Sequence, residues 1–508
     1  MPSVVEDLRR ALGADIVLAG DDLPERNRSD WSGLPPTSPL AVLRPRTTEQ
    51  VSAALRACHA HRTPVVAQGG LTGLCGGARA GEGEVALSLE RMAGVEEIDP
   101  ATATMTVLAG TPLERVQREA ADAGFLVPLD LGARGSCAIG GNIATNAGGN
   151  RVIRYGMTRE MVLGLEVVLA DGTVLPGLNK LIKNNAGYDL RQLFVGSEGT
   201  LGVVTRAVLR LHPRPGCVHA AMCGLPNFAA VVELLKGARA GLGPTLSAFE
   251  VMWQDYYRFV VRGGLPARAP ALGEGAPGLP DHVSDPRRHV ISQMEADSAA
   301  LARQSPVSPA PRPGPRAPIG DGHAFYVLVE AQGTDEAADG AKFEAWLERI
   351  LEDGIIQDAA LASSLGDVEA FWALRDAAAE FRQTLGPHIS FDIGLPTGLM
   401  GGYVEACRAG LEARLPGIVA LFYGHIGDGN LHIVAGVPGA ELQPKEAIEE
   451  VVYGLVRERG GTVSAEHGIG TTKRRWLPFA RGPEELALMR TLKAALDPHG
   501  ILNPGKVV

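Results

Sequence analysis

The sequence lacks the features that mark several large classes of protein. It has only 6 cysteines in 508 residues, and no two of them form a C-x-x-C pair, which disfavours iron–sulfur sites, zinc–thiolate sites and a disulfide framework. Lysine and arginine (48) are outnumbered by aspartate and glutamate (58), so the chain lacks the basic surface that binds nucleic acid. No apolar run approaches the roughly 20 residues of a membrane-spanning helix, and we predict no transmembrane segment.

The first residues also lack the pattern of a targeting segment. Residues 1–10 contain acidic side chains and no apolar core, whereas a secretory signal needs such a core and transit peptides are poor in acidic residues. We therefore predict a cytoplasmic protein whose cysteines are reduced and mostly buried.

Glycine, in contrast, is abundant, with 64 residues, and proline contributes 35. This composition indicates many tight turns and sites that are lined by backbone. A hydrophobic fraction of 45% is typical of a folded globular protein, and the length predicts two to four domains. From Leu40 onward, short β-branched runs such as 41–45 and 63–67 alternate with helical patterns, which predicts an α+β or α/β fold.

Three local patterns refine this outline. Thr111 and Glu114 have the spacing of a capping box at the start of a helix predicted over 111–123. From about Cys217, helix and strand patterns recur in a way that predicts an α+β sheet covered by helices on one side. Residues 272–320 are rich in Pro, Ala and Arg without any apolar period, which predicts a disordered surface insertion.

Three segments contain too many glycines for ordinary strands or helices, namely 67–77, 135–150 and 194–204. The first follows a strand, where successive backbone N–H groups can form a nest for an anion, and we predict that a pyrophosphate binds there. None of the three matches G-x-G-x-x-G after a strand or the P-loop pattern, so neither a Rossmann site nor a Walker site is supported. Taken singly, each segment also fits a glycine-rich surface turn.

His425 and His432 lie in a further glycine-rich turn, and the dipeptide Glu466-His467 follows downstream. Two imidazoles and one carboxylate, with a fourth position open for substrate, are typical of a catalytic metal site. His467 would then be free for proton transfer. The spacing H-x6-H is not an established ligand pattern, so hydrogen-bonded loop residues are an equally good interpretation of these residues alone.

The order of these motifs resembles that of a known family. The glycine-rich segments, preceded by 128–132 and 185–189, are similar to the FAD-binding half of the vanillyl-alcohol-oxidase-type flavoproteins. The histidine motifs, together with 371–375 and 496–506, resemble the D-2-hydroxyacid dehydrogenase branch of that family, most of all its members that oxidise D-2-hydroxyglutarate. The resemblance extends over nearly the whole chain except the insertion.

This resemblance implies an α+β fold with a two-part, PCMH-type FAD-binding domain at 35–215. It also implies an N-terminal helical segment at 1–34, a substrate domain of the FAD-linked-oxidase C-terminal type at 216–470, and a segment at 471–508 that returns to the FAD domain. The residues implied to bind FAD are Gln68, Gly69, Gly70, Leu71, Thr72, Gly73, Leu74, Pro128, Ser136, Gly140, Gly141, Asn142, Thr145, Asn146, Gly148, Gly149, Glu198, Gly202, Val203 and Asn503.

Within this FAD site, Leu71 departs from the family pattern. Related loops often have Asn at this position, and members with covalent flavin have His. Leucine cannot form a covalent bond to the flavin, so non-covalent FAD is expected.

The resemblance also implies a role for each residue of the histidine motifs. The resemblance makes His425, His432 and Glu466 the ligands of a divalent metal, zinc or manganese, and His467 the general base. It makes Arg375 the residue that binds the substrate carboxylate. Asn430 is a further candidate for a polar contact beside the flavin and substrate.

The implied substrate is a small D-2-hydroxyacid, similar to D-2-hydroxyglutarate or D-lactate. Its electrons would pass through the flavin to an acceptor other than NAD, such as an electron-transfer flavoprotein or a quinone. Ala379 and Ser390 stand where relatives that act on 2-hydroxyglutarate have Thr and Lys, which puts that acid in doubt unless His388, Arg382 or Lys473 compensates.

Two other functions stay open at this point. One is a flavin oxidase that uses O₂ on glycolate or related acids, and the other is a catalytically silent flavin-binding subunit. The complete set of His425, His432, Glu466 and His467 argues against the silent subunit, which has no need of all four. The sequence also leaves open a homodimer.

Overall fold

The computed structural model describes residues 3–264 and 315–508. The predicted insertion at 272–320 therefore lies outside the described residues, apart from 315–320. In the first half of the chain the strands are β1 (Val17–Leu18), β2 (Ala41–Leu43), β3 (Val65–Gln68), β4 (Val85–Ser88), β5 (Val95–Asp99), β6 (Thr104–Leu108), β7 (Phe125–Leu126), β8 (Val162–Val168), β9 (Val174–Gly177), β10 (Val203–Arg210) and β11 (His212–Pro213).

Nine of these strands form two sheets that share one hydrophobic core, and β7 and β11 pair in a separate two-stranded sheet. The first has the order β1-β2-β4-β3, in which β4 is parallel to both of its neighbours, and the second is antiparallel with the order β5-β6-β10-β8-β9. Apolar side chains of both sheets, such as Leu87 and Val107, belong to the same buried cluster. The α-helices of this half are Val4–Leu12, Thr48–His61, Leu113–Asp122, Ile139–Ala144, Val152–Tyr155, Thr158–Met161 and Arg191–Phe194.

The predicted capping box at Thr111 is wrong. The helix begins at Leu113 after Pro112, and no side chain caps its first turn. The hydroxyl of Thr111 instead donates to the carbonyl of Leu108, and it accepts a hydrogen bond from the N–H of Gly94 at 2.9 Å. A tertiary contact therefore uses the hydroxyl group that the local pattern assigned to the helix.

The described strands of the second half are β12 (Cys217–Leu225), β13 (Leu246–Trp253), β14 (Phe325–Gly333), β15 (Asp358–Leu361), β16 (Ile389–Gly394), β17 (Val419–Gly424) and β18 (Asn430–Gly436). These seven strands form one antiparallel sheet in the order β15-β12-β14-β13-β17-β18-β16. The α-helices are Phe228–Leu242, Gln254–Val261, Glu336–Glu352, Leu365–Asp376, Phe381–Thr384, Met400–Arg414, Lys445–Glu458 and Pro483–Leu496. The mixed content confirms the α+β fold.

Helices cover both faces of this sheet, so the expectation of helices on one side is wrong. One face packs against the helices at 228–242, 336–352, 400–414 and 445–458. The other face packs against those at 254–261 and 365–376. Both faces of a strand such as β14 are apolar as a result, which removes the alternation that would mark a solvent-exposed face.

The second of these faces also carries a group of polar side chains. Because alternate residues of a strand point to the same side, Glu250, Tyr423, His432 and Asp392 all lie on the face that carries the helix Leu365–Asp376. The register places Tyr423 and Asp392 directly opposite His432 on its two neighbouring strands. A row of polar side chains thus crosses three adjacent strands.

Candidate active site

A cavity of about 790 Å³ lies between the glycine-rich segments of the first half and this face of the sheet. Most of the residues implied to bind FAD line it, as do Arg375, His425, His432, Glu466 and His467. Pro128, Ser136, Asn146 and Asn430 are not in its lining. The structure therefore brings the predicted cofactor, metal, base and carboxylate-binding residues together around one space.

The glycine-rich segments pack against each other so closely that side chains would not fit. A Cβ on Gly70 would overlap the carbonyl oxygen of Ser136, and a Cβ on Gly140 would lie 2.6 Å from the Cβ of Ala109. The backbone of Ser136 thus packs against the first segment, and Ser136 does not line the cavity. Backbone and small side chains line most of this wall, which fits a large, flat cofactor such as FAD.

Four of the residues implied to bind FAD, Leu71, Asn146, Glu198 and Asn503, have left-handed backbone conformations that the sequence did not indicate. Leu71 has φ of 63° and Asn146 has φ of 49°, in the left-handed region that Asn tolerates better than Leu. The Oδ1 of Asn146 accepts the N–H of Arg159 at 2.9 Å, so its side chain points away from the cavity. At Leu71 the left-handed backbone gives a physical reason why Asn would suit this position.

The predicted metal ligands form a compact group. One donor atom from each of His425, His432 and Glu466 lies within 4.8 Å of the other two. Both imidazole Nε2 atoms are 3.9 Å from a carboxylate oxygen of Glu466. Two nitrogens and one oxygen are a donor set that zinc and manganese accept, and burial lowers the pKa of His432 well below its ordinary value, which keeps it neutral and able to bind. The residues present therefore fit a divalent metal.

Glu250 is a part of the site that sequence reasoning missed. It is 1% exposed; one of its oxygens lies 2.6 Å from Nδ1 of His425, and the other accepts from Nε of Arg375 at 2.9 Å. A terminal nitrogen of Arg375 also lies 2.7 Å from Nε2 of His425. Because arginine can only donate, this geometry has Nε2 accept and Nδ1–H donate to Glu250, which is the tautomer a metal needs. Burial and Arg375 lower the pKa of His425, but the charge of Glu250 outweighs them and raises it to about 9. An acidic residue within the apolar strand β13 was the one available signal.

Asp392 is the second residue that sequence reasoning missed. One of its carboxylate oxygens accepts the backbone N–H groups of Ala465, Glu466 and His467 at 2.8–3.2 Å. Burial raises the pKa of Asp392, but the charges of His467 and Lys473 and these N–H groups hold it well below its ordinary value. The carboxylate therefore fixes the loop that carries the third predicted ligand and the predicted base.

His467 lies at the edge of the cluster. Its ring stacks near that of His432, with centroids 6.1 Å apart, and its Nδ1 is 3.8 Å from Asp392. Its side chain is 25% exposed and faces the cavity. The ring is thus close to the metal-ligand group while remaining open to a bound molecule.

The remaining predicted residues have other places. Asn430 is buried at the start of β18 outside the cavity lining, and neither side-chain atom has a partner among the described residues. Glu198 lines the cavity, but its carboxylate accepts the N–H groups of Ile469 and Gly470 at 2.6 and 2.8 Å. Asn503 links the C-terminal segment to β3 and to the carbonyl of Glu198.

The sequence is similar to named enzymes over nearly its whole length. It is 38% identical over 501 residues to the mitochondrial D-2-hydroxyglutarate dehydrogenase of Bos taurus, covering 99% of this chain and 82% of that protein. It is 37% identical over 483 residues to the D-2-hydroxyglutarate dehydrogenase of Xanthomonas citri pv. viticola, covering 94% of this chain and 91% of that one.

The names of these relatives overturn the prediction of a cytoplasmic location. Several of them, from cattle, rat, rice, zebrafish and Arabidopsis, are described as mitochondrial, whereas the bacterial relative carries no such description. The prediction rested on the composition of residues 1–10, and that composition does not decide location here. In the described ranges, no helix is long and apolar enough to cross a membrane.

Domain models and solved structures agree with this similarity. Residues 39–176 match the model for an FAD binding domain, and residues 214–507 match the model for the C-terminal domain of FAD linked oxidases. The structure of p-cresol methylhydroxylase shares the fold with a TM-score of 0.72 at 19% identity, covering 99% of this chain and 96% of that one. The chain therefore belongs to the family of FAD-linked oxidases that includes the D-2-hydroxyglutarate dehydrogenases.

Proposed function

We propose that this protein is an FAD-dependent dehydrogenase that oxidises a D-2-hydroxyacid to the 2-oxoacid with the help of a divalent metal. The observation that carries the proposal is the grouping of His425, His432, Glu466, His467 and Arg375 at one end of a cavity whose other walls are glycine-rich segments. A two-electron oxidation of this kind requires a hydride acceptor, a proton acceptor and a group that orients the acid.

The chain supplies the last two of these. Arg375 lies where its guanidinium can exchange the contact with His425 for a bidentate contact with the substrate carboxylate, while its Nε stays on Glu250. His467 accepts the proton of the 2-hydroxyl group, and Asp392 holds the backbone of that histidine in place. A metal held by His425, His432 and Glu466 would polarise the hydroxyl as a Lewis acid, and bound flavin would take up the hydride.

We further propose that FAD is held without a covalent bond, since Leu71 offers no nucleophilic atom. Electrons would then leave through a protein or quinone acceptor rather than through NAD. Both statements extend the family resemblance to this chain.

The test uses the purified holoenzyme under anaerobic conditions, with D- and L-2-hydroxyacids as a panel. We expect D-acids to bleach the flavin, chelation to abolish the bleaching, and zinc or manganese to restore it. Bleaching by L-acids alone would contradict the assigned stereochemistry, and full activity without metal would contradict the metal's role. Hydrogen peroxide produced in step with substrate consumption would indicate an oxidase instead.

Two variants sharpen this test. His432→Ala should lower the second-order rate of bleaching by more than the roughly 10–100-fold that loss of an outer partner of a metal costs, and it should weaken metal binding measured directly. His61→Ala is the matched control, because this histidine contacts Asp7 and lies outside the cavity lining. Equal effects of the two variants would contradict a metal ligand at His432.

A further inference from the structure

Few cationic side chains line the substrate end of the cavity. Among the described lining residues the arginines are Arg134 and Arg375, and there is no lysine. Arg134 belongs to the glycine-rich wall, where its guanidinium is 3.2 Å from Asp130. Among the residues that the structure describes, Arg375 is therefore the only lining guanidinium beside the metal-ligand cluster, and the 1-carboxylate of a hydroxyacid would occupy it.

One row of the sheet next to the metal-ligand cluster also lacks charged side chains. Next to the row of Tyr423, His432 and Asp392, on the same face of the sheet, lies a second row. It is two residues away on each strand and consists of Leu421, Val434 and Ser390. Leu421 and Val434 are buried in an apolar cluster, and Ser390 lines the cavity. This row contains no charged group that could receive a second carboxylate.

The cations that could compensate are used elsewhere or lie outside the cavity lining. Lys473 is 6% exposed, with its Nζ 3.2 Å from the hydroxyl of Ser464 and 3.6 Å from Asp392. His388 has its Nδ1 2.8 Å from the carbonyl of Gly386. Neither these two nor Arg382 is in the lining.

An acidic group faces the cavity instead. Asp376 follows Arg375 at the end of its helix, lines the cavity, and is 3.3 Å from the guanidinium of Arg375. Its side chain is about half exposed. A substrate with a second carboxylate would meet this negative charge without a matching cation among the described lining residues, and like charges at close range disfavour binding.

Resting on the proposed function, we infer that the preferred substrate is a monocarboxylic D-2-hydroxyacid with an uncharged side chain, not a dicarboxylic one. Ser390, the member of this row that lines the cavity, offers a small uncharged hydroxyl to the substrate atoms at C3 and beyond, and Leu421 and Val434 behind it add no charge. Arg375 serves the 1-carboxylate that all 2-hydroxyacids share, so it does not distinguish the two classes.

The test compares D-2-hydroxyvalerate with D-2-hydroxyglutarate, which have the same five-carbon chain and differ by the terminal carboxylate. Anaerobic flavin bleaching of the holoenzyme gives a second-order rate for each acid. We expect the valerate to react at least about tenfold faster, since a charge-assisted contact contributes roughly 1.5–3 kcal/mol. Equal rates, or a faster reaction with the glutarate, would overturn the inference. Bleaching by no 2-hydroxyacid would overturn the proposed function as well.

A charge placed in the uncharged row provides an independent check. Ser390→Lys should move the rate ratio toward D-2-hydroxyglutarate by about tenfold, because it adds the missing cation at the cavity wall. Ser390→Met is the matched control, with a side chain of similar length and no charge, and should leave the ratio within about twofold of wild type. Equal shifts in both variants would show that side-chain size sets the ratio and would contradict the inference. Binding of 2-oxovalerate and 2-oxoglutarate, followed through the flavin spectrum, should give the same order of preference.

Discussion

At the scale of single residues, Glu250 connects two groups that act on different parts of the substrate. Its carboxylate holds the metal-ligand candidate His425 on one oxygen and the carboxylate-binding candidate Arg375 on the other. A buried carboxylate with two strong partners is costly to leave unpaired. We infer that Glu250 is a positioning residue, since it sets the tautomer of His425 and the place of Arg375 without lining the cavity itself.

Glu250→Gln should destabilise the protein in a pH-dependent way. Burial raises the pKa of Glu250, but His425 and Arg375 bring it below its ordinary value of 4.5. A carboxyl group whose pKa is depressed in the folded state stabilises that state above its unfolded pKa, and this contribution is lost as the pH falls through the folded pKa. The variant should therefore be less stable than wild type by about 3 kcal/mol near neutral pH. The difference should shrink as the pH falls below about 4.5.

Chemical denaturation of the metal-free protein at a series of pH values measures this difference. Glu344→Gln, at an exposed position of the helix Glu336–Glu352, is the control. A difference between Glu250→Gln and wild type that does not change with pH would contradict an ionised Glu250.

At the scale of secondary structure, the site depends on a strand that holds a loop. Asp392 on β16 accepts three consecutive backbone N–H groups of the loop that carries Glu466 and His467, and the hydroxyl of Ser464 as well. The antiparallel register puts Asp392 directly opposite His432. One strand pair therefore determines the spacing between a ligand on the sheet and the ligand and base on the loop.

Asp392→Asn should loosen this loop. An amide oxygen is a weaker acceptor than a carboxylate, and the variant leaves the buried Lys473 without its counter-charge. We therefore expect the free energy of unfolding to fall by about 3–5 kcal/mol. Hydrogen exchange of the amides at 465–467 should become much faster, while amides of the helix Thr48–His61 should stay unchanged. Ser464→Ala removes only the hydroxyl contact and should have a smaller effect. Unchanged exchange at 465–467 in Asp392→Asn would contradict the role of this carboxylate.

At the scale of the whole molecule, the sequence predicted the residues that line the cavity better than the buried residues that hold them in place. Most of the residues that the family resemblance implies to bind FAD line one space together with His425, Glu466 and Arg375, because the resemblance rests on long contiguous motifs. Glu250 and Asp392 were missed because each acts on partners more than 70 positions away in the chain. The capping box at Thr111 failed for a related reason, since Gly94, 17 positions away and outside the helix, uses its hydroxyl group.

The C-terminal segment forms part of the cavity wall, and the side chain of Asn503 bonds this segment to two of the glycine-rich segments. Its Oδ1 accepts the N–H of Ala67 at 3.0 Å, and its Nδ2 donates to the carbonyl of Glu198 at 2.6 Å, so two glycine-rich segments are tied to the C-terminal segment. The side chain is 3% exposed, and its φ of 41° is one that Asn tolerates better than most residues.

Asn503→Ala should therefore lower the free energy of unfolding by about 2–4 kcal/mol, because buried backbone groups of Ala67 and Glu198 lose their partners. The affinity for FAD should fall with it, since the variant removes one of the links between the two segments that line the cavity. Asn503→Asp separates the contributions: it keeps the acceptor for Ala67 but replaces the donor to Glu198 with an oxygen, and it should weaken FAD binding nearly as much as alanine. Titration of the apoprotein with FAD and thermal unfolding measure both quantities. FAD affinity unchanged in both variants would show that the C-terminal segment only packs against the wall and does not shape it.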